Sequence, residues 1–277
     1  MSQKSYDNSP TLYLIPTPIG NLDDMTYRAV SILREVKVVF SEDTRVTSQL
    51  LKHFDIKKKL ISSHNFNEDA NYDKMLEYLQ NGDNVGLVSD RGTPVISDPG
   101  YKLAKCAIDN GFNVVALPGT TAFVPALITS GLNPDNFLFY GFLNNKASKR
   151  KKELENLKKY PFTLIFYEAP HRLMETLNDI KEILGNRKIS ISREISKKFE
   201  EIYRGNIDDV IKEINVKGEF VIIVDGNKEE NTYENLSIVE HVNLFIKEGY
   251  DSKDAIKLVA KERNVSKSIV YNEYHKR

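Results

Sequence analysis

The chain has 277 residues, of which 40% are hydrophobic and 28% charged, which is typical of a globular protein with about two domains. Its 39 lysines and arginines equal its 39 aspartates and glutamates, so the chain as a whole has no electrostatic preference for nucleic acid. Its one cysteine excludes a disulfide framework, and its polar start and lack of a long apolar stretch predict a cytoplasmic protein without a membrane contact.

The first part of the chain alternates short apolar runs with amphipathic stretches. The predicted strands are 11–15, 36–40, 61–65, 85–88 and 113–117. The predicted helices between them are 22–36, 47–54, 72–79 and 103–108. Because a strand and a helix alternate with short connections, this pattern predicts an N-terminal α/β domain over 11–118 with a parallel sheet.

A second α/β domain is predicted over 119–226. Its predicted strands are 137–141, 162–167, 188–193, 199–203 and 219–224, and its predicted helices are 146–159 and 173–184. Residues 188–193 and 199–203 alternate polar and apolar side chains, which favours antiparallel pairing and a mixed sheet. A polar linker, 227–236, then leads to a tail, 237–277, whose three short amphipathic stretches resemble a helix-turn-helix.

Polar loops follow four of the predicted strands, and three of these loops contain proline and glycine. The four loops lie at 16–21, 41–45, 89–100 and 118–122. The carboxyl ends of parallel strands share one edge of the sheet, so these loops together predict a small-molecule site, although any one of them could be an ordinary strand–turn–helix corner. The chain contains no G-x-G-x-x-G, Walker A, HExxH or G-x-S-x-G motif, which excludes the usual dinucleotide, nucleoside triphosphate, zincin and hydrolase sites.

Four segments carry a resemblance to a known family. They are LYLIPTPIGNL (12–22), SEDTR (41–45), SDRGTPVISDPG (89–100) and YEAPHR (167–172). In this order, over about 11–226, the chain resembles the RsmI family of 16S ribosomal RNA 2′-O-ribose methyltransferases, whose fold is similar to that of the tetrapyrrole methylases. The resemblance implies two α/β domains of that type, a parallel-sheet N-terminal domain and a mixed-sheet second domain, with a small helical C-terminal extension.

The resemblance also implies what the protein binds. S-adenosylmethionine would be the methyl donor, in a cleft between the two α/β domains, and a cytidine ribose in the decoding centre of the small ribosomal subunit would be the acceptor. A homodimer is usual in the family. The implied cofactor contacts are Ile19, Thr93, Ile96, Thr121, Ala122 and Phe166, with Asp90 and Asp98 as further candidates because carboxylates favour a sulfonium. Arg91 replaces a small residue of the family, and we expect its side chain to point to solvent, RNA or a carboxylate.

Methyl transfer to a ribose oxygen requires removal of the hydroxyl proton. The candidate bases are Glu42, Asp43, Glu168 and His171, and Arg45 is a candidate for orienting RNA phosphate or the acceptor ribose. The alternative for 42–45 is an ion-pair cluster at a strand end, and for Glu168, His171 and Arg172 it is capping and packing of a helix start.

A basic helical stretch, 146–159, predicts a contact with the RNA backbone. The candidate RNA-binding residues are Lys149, Arg150, Lys151, Lys152 and Arg172, and the alternative is a solvated helix face. No metal site is expected.

Two rival functions remain open on sequence. One is a tetrapyrrole or diphthine-type methylase on the same scaffold, against which the 41–45 and 167–172 segments and the basic stretches argue. The other is a non-enzymatic regulator that binds nucleic acid through the tail, and it would leave the residues before the tail without a purpose.

Overall fold

The structure is a computed structural model that describes residues 3–5, 7–64, 68–228, 236–263 and 265–276. The chain forms two compact units, one of residues 1–158 and 162–225 and the other of 159–161 and 226–277. In the described ranges, no helix has both the length and the apolar character needed to cross a membrane.

The first sheet has five parallel strands, as predicted. They are β1 (Thr11–Leu14), β2 (Val38–Ser41), β3 (Lys59–Ser62), β4 (Val85–Val88) and β5 (Asn113–Ala116), in the order β3-β2-β4-β1-β5. All residues of β2 and β4 are buried, because helices cover both faces of the sheet. The third strand starts two residues before its predicted start, and residue 65 of that prediction lies outside the described residues.

Helices cover the first sheet on its two faces. Helices α1 (Tyr27–Glu35) and α2 (Thr44–His53) pack on one face, and α3 (Tyr72–Gln80) and α4 (Tyr101–Asp109) on the other. The prediction of a helix starting at residue 22 is wrong, since a short 3-10 turn occupies Leu22–Asp24. Helix α1 begins later because the Thr26 hydroxyl accepts the backbone N–H of Ala29, at 3.1 Å.

The second sheet is mixed, as predicted. Its strands are β6 (Phe137–Phe142), β7 (Thr163–Glu168), β8 (Lys188–Arg193), β9 (Glu201–Asn206) and β10 (Phe220–Val224), in the order β6-β7-β10-β8-β9. Strands β6 and β7 are parallel, and the other pairs are antiparallel. The α/β fold class predicted from the sequence is therefore confirmed.

Four helices accompany the second sheet. They are α5 (Phe123–Thr129), α6 (Ala147–Leu157), α7 (Leu173–Leu184) and α8 (Ile207–Glu213). The sequence analysis missed α5 and α8, each only seven residues long. Helix α5 contains Pro125 in its first turn, where backbone N–H groups have no partner within the helix, so the proline does not break it.

Three helices form the tail, as predicted. They are α9 (Ile238–Lys247), α10 (Ser252–Glu262) and α11 (Lys267–His275), and they enclose a core that includes Val242, Phe245, Ile256 and Val270. Most of the predicted linker, 227–236, lies outside the described residues. The domain boundaries at 118 and 226 stay a prediction.

Candidate active site

A cleft of about 610 Å³ lies at the carboxyl edge of the first sheet. Loops after β1, β2, β4 and β5 form one side of it, and residues around the end of β7 and the start of β10 form the other. The predicted site residues that line it are Ile19, Glu42, Asp90, Thr93, Ile96, Asp98, Thr121, Ala122 and Glu168. The polar strand exits thus converge on one crevice, as the parallel sheet predicts.

Backbone pairing joins the loops after β1 and β4. Thr17 and Gly92 exchange two N–H···O bonds of 2.9 Å. Gly92 has a positive φ of 79°, and a Cβ there would lie 3.2 Å from Cγ2 of Ile19. The hydroxyl of Thr93 donates to the carbonyl of Thr120 at 2.9 Å, and this bond connects the loop after β5 to the loop after β4. Only glycine fits position 92 without strain, and its backbone forms part of the cleft wall.

Two crossed hydrogen bonds join the loops after β2 and β4. The backbone N–H of Asp43 donates to Oδ1 of Asp90 at 2.9 Å, and the N–H of Asp90 donates to Oε2 of Glu42 at 3.5 Å. The Asp43 side chain turns the other way and accepts from the backbone and guanidinium of Arg45, with a closest approach of 2.6 Å. Hydrogen bonds from Arg45 lower the pKa of Asp43 to about 2.

Three carboxylates therefore line the cleft without a cation bound to them. Among the described residues, no ion pair involves Glu42, Asp90 or Asp98. Burial raises the pKa of Glu42, and the charge of Asp90 adds to the effect. Burial likewise raises the pKa of Asp90 and raises the pKa of Asp98 to about 7, with a further contribution from the charge of Glu42. The cleft therefore favours a proton or a bound cation.

The loop that carries Asp98 has an unusual backbone. Val95 and Ser97 have positive φ angles of 79° and 63°, a conformation that costs a residue with a side chain on the order of 1–3 kcal/mol. The buried carboxylate of Glu68 accepts the backbone N–H of Gly100 at the end of this loop. The fold therefore holds Asp98 in place at an energetic cost, a pattern that is common at functional sites.

Glu168 contributes to the cleft wall, but its carboxylate is already occupied. Its side chain has no exposed surface, and it accepts hydrogen bonds from Arg172 at 2.6 Å and from the hydroxyl of Thr176 at 2.6 Å. It also accepts the N–H of Ala169 at 2.7 Å. The alternative of capping and packing at the start of α7 describes these contacts, and the role of Glu168 as a base stays a prediction.

Four other candidates do not line the cleft. Phe166 is fully buried and packs in the core beneath α6 and α7, because its side chain points to the face of β7 opposite Tyr167. His171 is exposed in the turn before α7. Asp43 and Arg45 pair with each other at the start of α2, which is the ion-pair arrangement weighed as the alternative. A direct cofactor contact by Phe166 is excluded by this packing.

The basic helix α6 divides into two faces. Arg150 is only 1% exposed and donates to Asp179 of α7 at 2.7 Å, so the prediction that it binds RNA is wrong. Lys151 pairs with Glu182 at 2.7 Å, and Arg172 pairs with Glu168. Lys149 and Lys152 are exposed and Lys151 is partly exposed, so solvent or a partner can reach these three residues of the set.

The sequence analysis missed several residues of the second wall. They include Phe142, Ile195, Glu219 and Val221. Arg91 lines the cleft and its guanidinium pairs with Glu219, so its side chain points to a carboxylate, one of the three expected outcomes. Nothing in the local sequence around 219 marks this contact, because its partner lies 128 residues earlier.

Comparisons with known proteins extend this description. Residues 11–211 match the family model described as Tetrapyrrole (Corrin/Porphyrin) Methylases. The chain is 48% identical over 284 residues to "Ribosomal RNA small subunit methyltransferase I" of Bacillus subtilis, covering 99% of this chain and 97% of that protein. It is 38% identical to the protein of the same name from Micromonospora olivasterospora, covering 96% of this chain and 86% of that protein.

Solved structures share the fold at lower sequence identity. The uroporphyrin-III-C-methyltransferase of Thermus thermophilus has a TM-score of 0.55 and 18% identity, covering 78% of this chain and 94% of that one. The methyltransferase CobJ has a TM-score of 0.59 and 19% identity, covering 79% of this chain and 95% of that one. These likenesses concern the fold alone.

Proposed function

The chain belongs to the tetrapyrrole (corrin/porphyrin) methylase family, and from that premise we propose that it is an S-adenosylmethionine-dependent methyltransferase of small-subunit ribosomal RNA. The observation that carries the proposal is its 48% identity, over almost the whole of both chains, to a protein named for that activity. We further propose that the methyl group goes to the ribose 2′ oxygen of a cytidine in the decoding centre of 16S ribosomal RNA.

The residues of the cleft fit the proposed methyl donor. S-adenosylmethionine supplies a methyl group on a positively charged sulfur, and the cleft presents three carboxylates without a bound cation, Glu42, Asp90 and Asp98. Ile19, Ile96 and Ala122 offer an apolar wall of the kind that suits an adenine ring. Thr93 and Thr121 add hydroxyl and backbone groups at the same wall. These five residues and the carboxylates are the contacts we propose.

The charged surface of α6 is the proposed contact with the RNA backbone. Lys149 and Lys152 are exposed there, and cations of this kind bind phosphates without reading sequence. Arg45 is 87% exposed beside its Asp43 partner and is a second proposed phosphate contact. We also propose a homodimer, which the family resemblance implies, and a cytoplasmic location, which action on ribosomal RNA would require.

Methyl transfer to small ribosomal subunits and to naked 16S ribosomal RNA tests the function directly. Subunits that lack the modification are incubated with the protein and S-adenosylmethionine labelled in the methyl group. We expect label in one cytidine of the decoding centre, at a 2′ position that makes the following phosphodiester bond resistant to alkali. Label on a base, or transfer to a tetrapyrrole and not to RNA, would contradict the proposal. Sedimentation equilibrium checks the homodimer.

A further inference from the structure

We propose that Asp98 is the general base that takes the proton from the ribose hydroxyl as this oxygen is methylated. The inference rests on the proposed function, because it names the proton acceptor for that reaction. Asp98 lies in the loop between β4 and α4 and lines the cleft. None of the sequence motifs singled it out for this role.

The contacts of the three unpaired carboxylates separate their roles. Asp90 accepts the backbone N–H of Asp43, and Glu42 accepts the N–H of Asp90, so both are used to hold the loops after β2 and β4 together. Within the described residues no backbone N–H donates to Asp98, and the nearby hydroxyl of Ser89 donates to the backbone carbonyls of Arg91 and Gly92, at 3.3 Å each. The carboxylate oxygens of Asp98 can therefore accept a proton, because no backbone N–H of the loops occupies them.

The surroundings of Asp98 favour its protonated form. The charges of Glu42 and Asp90, on the loops of the first sheet, act on Asp98, and Tyr167 of β7 is the titratable group of the opposite wall that interacts with it. No lysine, arginine or histidine among the described residues pairs with it. Burial with like charges nearby raises its pKa to about 7. A carboxylate of this kind is a stronger base than an ordinary aspartate and is still ionised in part at neutral pH.

The proposed step balances within the cleft. The bond between the ribose oxygen and the methyl carbon forms as the bond between that carbon and sulfur breaks, and the electron pair of the broken bond stays on sulfur. The ribose proton passes to a carboxylate oxygen of Asp98. One positive and one negative charge thereby disappear, which a poorly solvated site favours over bulk water. The proton then leaves to solvent and restores the carboxylate.

The strained backbone supplies the positioning that such a base needs. Positive φ angles at Val95 and Ser97, with the Glu68 contact at Gly100, leave the loop little freedom. A base must lie within hydrogen-bond reach of the proton that it removes, and small displacements are costly. The conformational strain of this loop is consistent with that requirement.

The test is the single-turnover rate of methyl transfer at saturating S-adenosylmethionine and 16S ribosomal RNA. Asp98→Asn keeps the size of the side chain and removes the base, and we expect the rate to fall by about 10²–10⁴-fold. Asp98→Glu restores a carboxylate and should recover part of the loss. The matched control is Asp109→Asn, at the exposed end of helix α4, which follows the Asp98 loop, and this variant should leave the rate unchanged.

Binding measurements separate a base from a residue that only attracts the sulfonium. The dissociation constant of S-adenosylmethionine is measured by calorimetry for wild type and Asp98→Asn. A base predicts a loss of rate at saturation that is much larger than any loss of affinity. A loss of affinity with a wild-type rate at saturation would overturn the proposal. A wild-type rate and a wild-type affinity in Asp98→Asn would also overturn it. The proposed function would still hold in that case if the wild-type protein labels the ribose.

The pH profile gives a second readout that does not require the Asp98 variant to fold. The wild-type rate should fall on the acid side with an apparent pKa near 7, as Asp98 becomes protonated. Glu42→Gln removes a like charge and keeps an oxygen for the Asp90 N–H, so it should move this acid limb to lower pH. An acid limb that Glu42→Gln does not move would overturn the assignment.

Discussion

The guanidinium of Arg91 pairs with the carboxylate of Glu219 at the cleft. Arg91 follows β4 of the first sheet and Glu219 precedes β10 of the second, so the contact joins the two walls. Glu219 also accepts from Lys197 at 2.8 Å, and both members of the Arg91 pair are more than half exposed. Among the described residues that line the cleft, Arg91 is the one cation, and it is therefore a candidate for binding an RNA phosphate.

Replacing Arg91 should therefore weaken RNA binding more than folding. For Arg91→Ala we expect affinity for 16S ribosomal RNA to fall about fivefold, equivalent to about 1 kcal/mol, because the site is exposed. The slope of log affinity against log salt should decrease by about 0.7, the value for one phosphate contact. Glu219→Gln releases Arg91 in part and should tighten binding by about twofold. Filter binding at several salt concentrations measures both, with Lys105→Ala as an exposed control.

The two faces of α6 should respond differently to substitution. Charge reversal of Lys149 and Lys152 together should reduce the salt slope of RNA binding by roughly 1.4 and change the free energy of unfolding by less than about 0.5 kcal/mol. Arg150→Ala leaves the buried Asp179 without its partner and should cost about 3–5 kcal/mol of stability. Urea denaturation and RNA binding are measured on each variant. Equal effects of the two substitutions on stability would contradict the assignment of faces.

Glu168→Gln should reduce the stability of the protein without reducing its rate of methyl transfer. Its carboxylate accepts from Arg172 and Thr176 in a buried position, and the amide would leave part of this network unsatisfied, at a cost of about 1–3 kcal/mol. The methyl-transfer rate of the folded variant should stay close to wild type, in contrast to Asp98→Asn. A loss of rate as large as that of Asp98→Asn, with normal stability, would support Glu168 as the base.

The pKa of Asp98 makes a prediction about stability as well as activity. Its folded pKa, about 7, lies above the ordinary value of 3.8, so the folded state holds this proton more tightly than the unfolded state. The stabilisation of the fold by this bound proton is therefore complete below about pH 4 and is lost as pH rises through 7. Asp98→Asn should be more stable than wild type by about 1–2 kcal/mol at pH 8, after allowance for partial solvent screening, and no more stable at pH 4. Urea denaturation at the two pH values measures the difference, and Asp109→Asn should show none.

The sequence was sufficient for the parts of the fold that depend on local patterns. Buried strands such as Val85–Val88 are continuous apolar runs, and the loops after them carry prolines, glycines and acids that mark a turn at a sheet edge. The convergence of these loops follows from parallel strands. The start of α1 could not be placed, because Asn21 and Thr26 are both good N-caps and both are used, one for a 3-10 turn.

The parts that the sequence could not supply depend on distant partners. Arg150 looks like its neighbours in a basic run, and only Asp179, on the helix packed against it, shows that it is buried. Glu168 looks like a free acid in a loop motif until Arg172 and Thr176 are seen beside it. Local sequence gives the chemical type of a side chain, whereas its availability depends on tertiary packing.

The irregular pairing of β6 with β7 limits which sequence segments can be exchanged between this protein and its relatives. The pairing with β7 shifts between Phe139 and Gly141, and Gly141 has a positive φ of 81°. A Cβ at this position would lie 2.9 Å from the hydroxyl oxygen of Ser97, next to Asp98. In a chimaera that takes the 95–100 segment from one parent and β6 from another, a side chain at position 141 would strain the backbone and crowd the Ser97 hydroxyl, so the β6 donor should also bring glycine at 141.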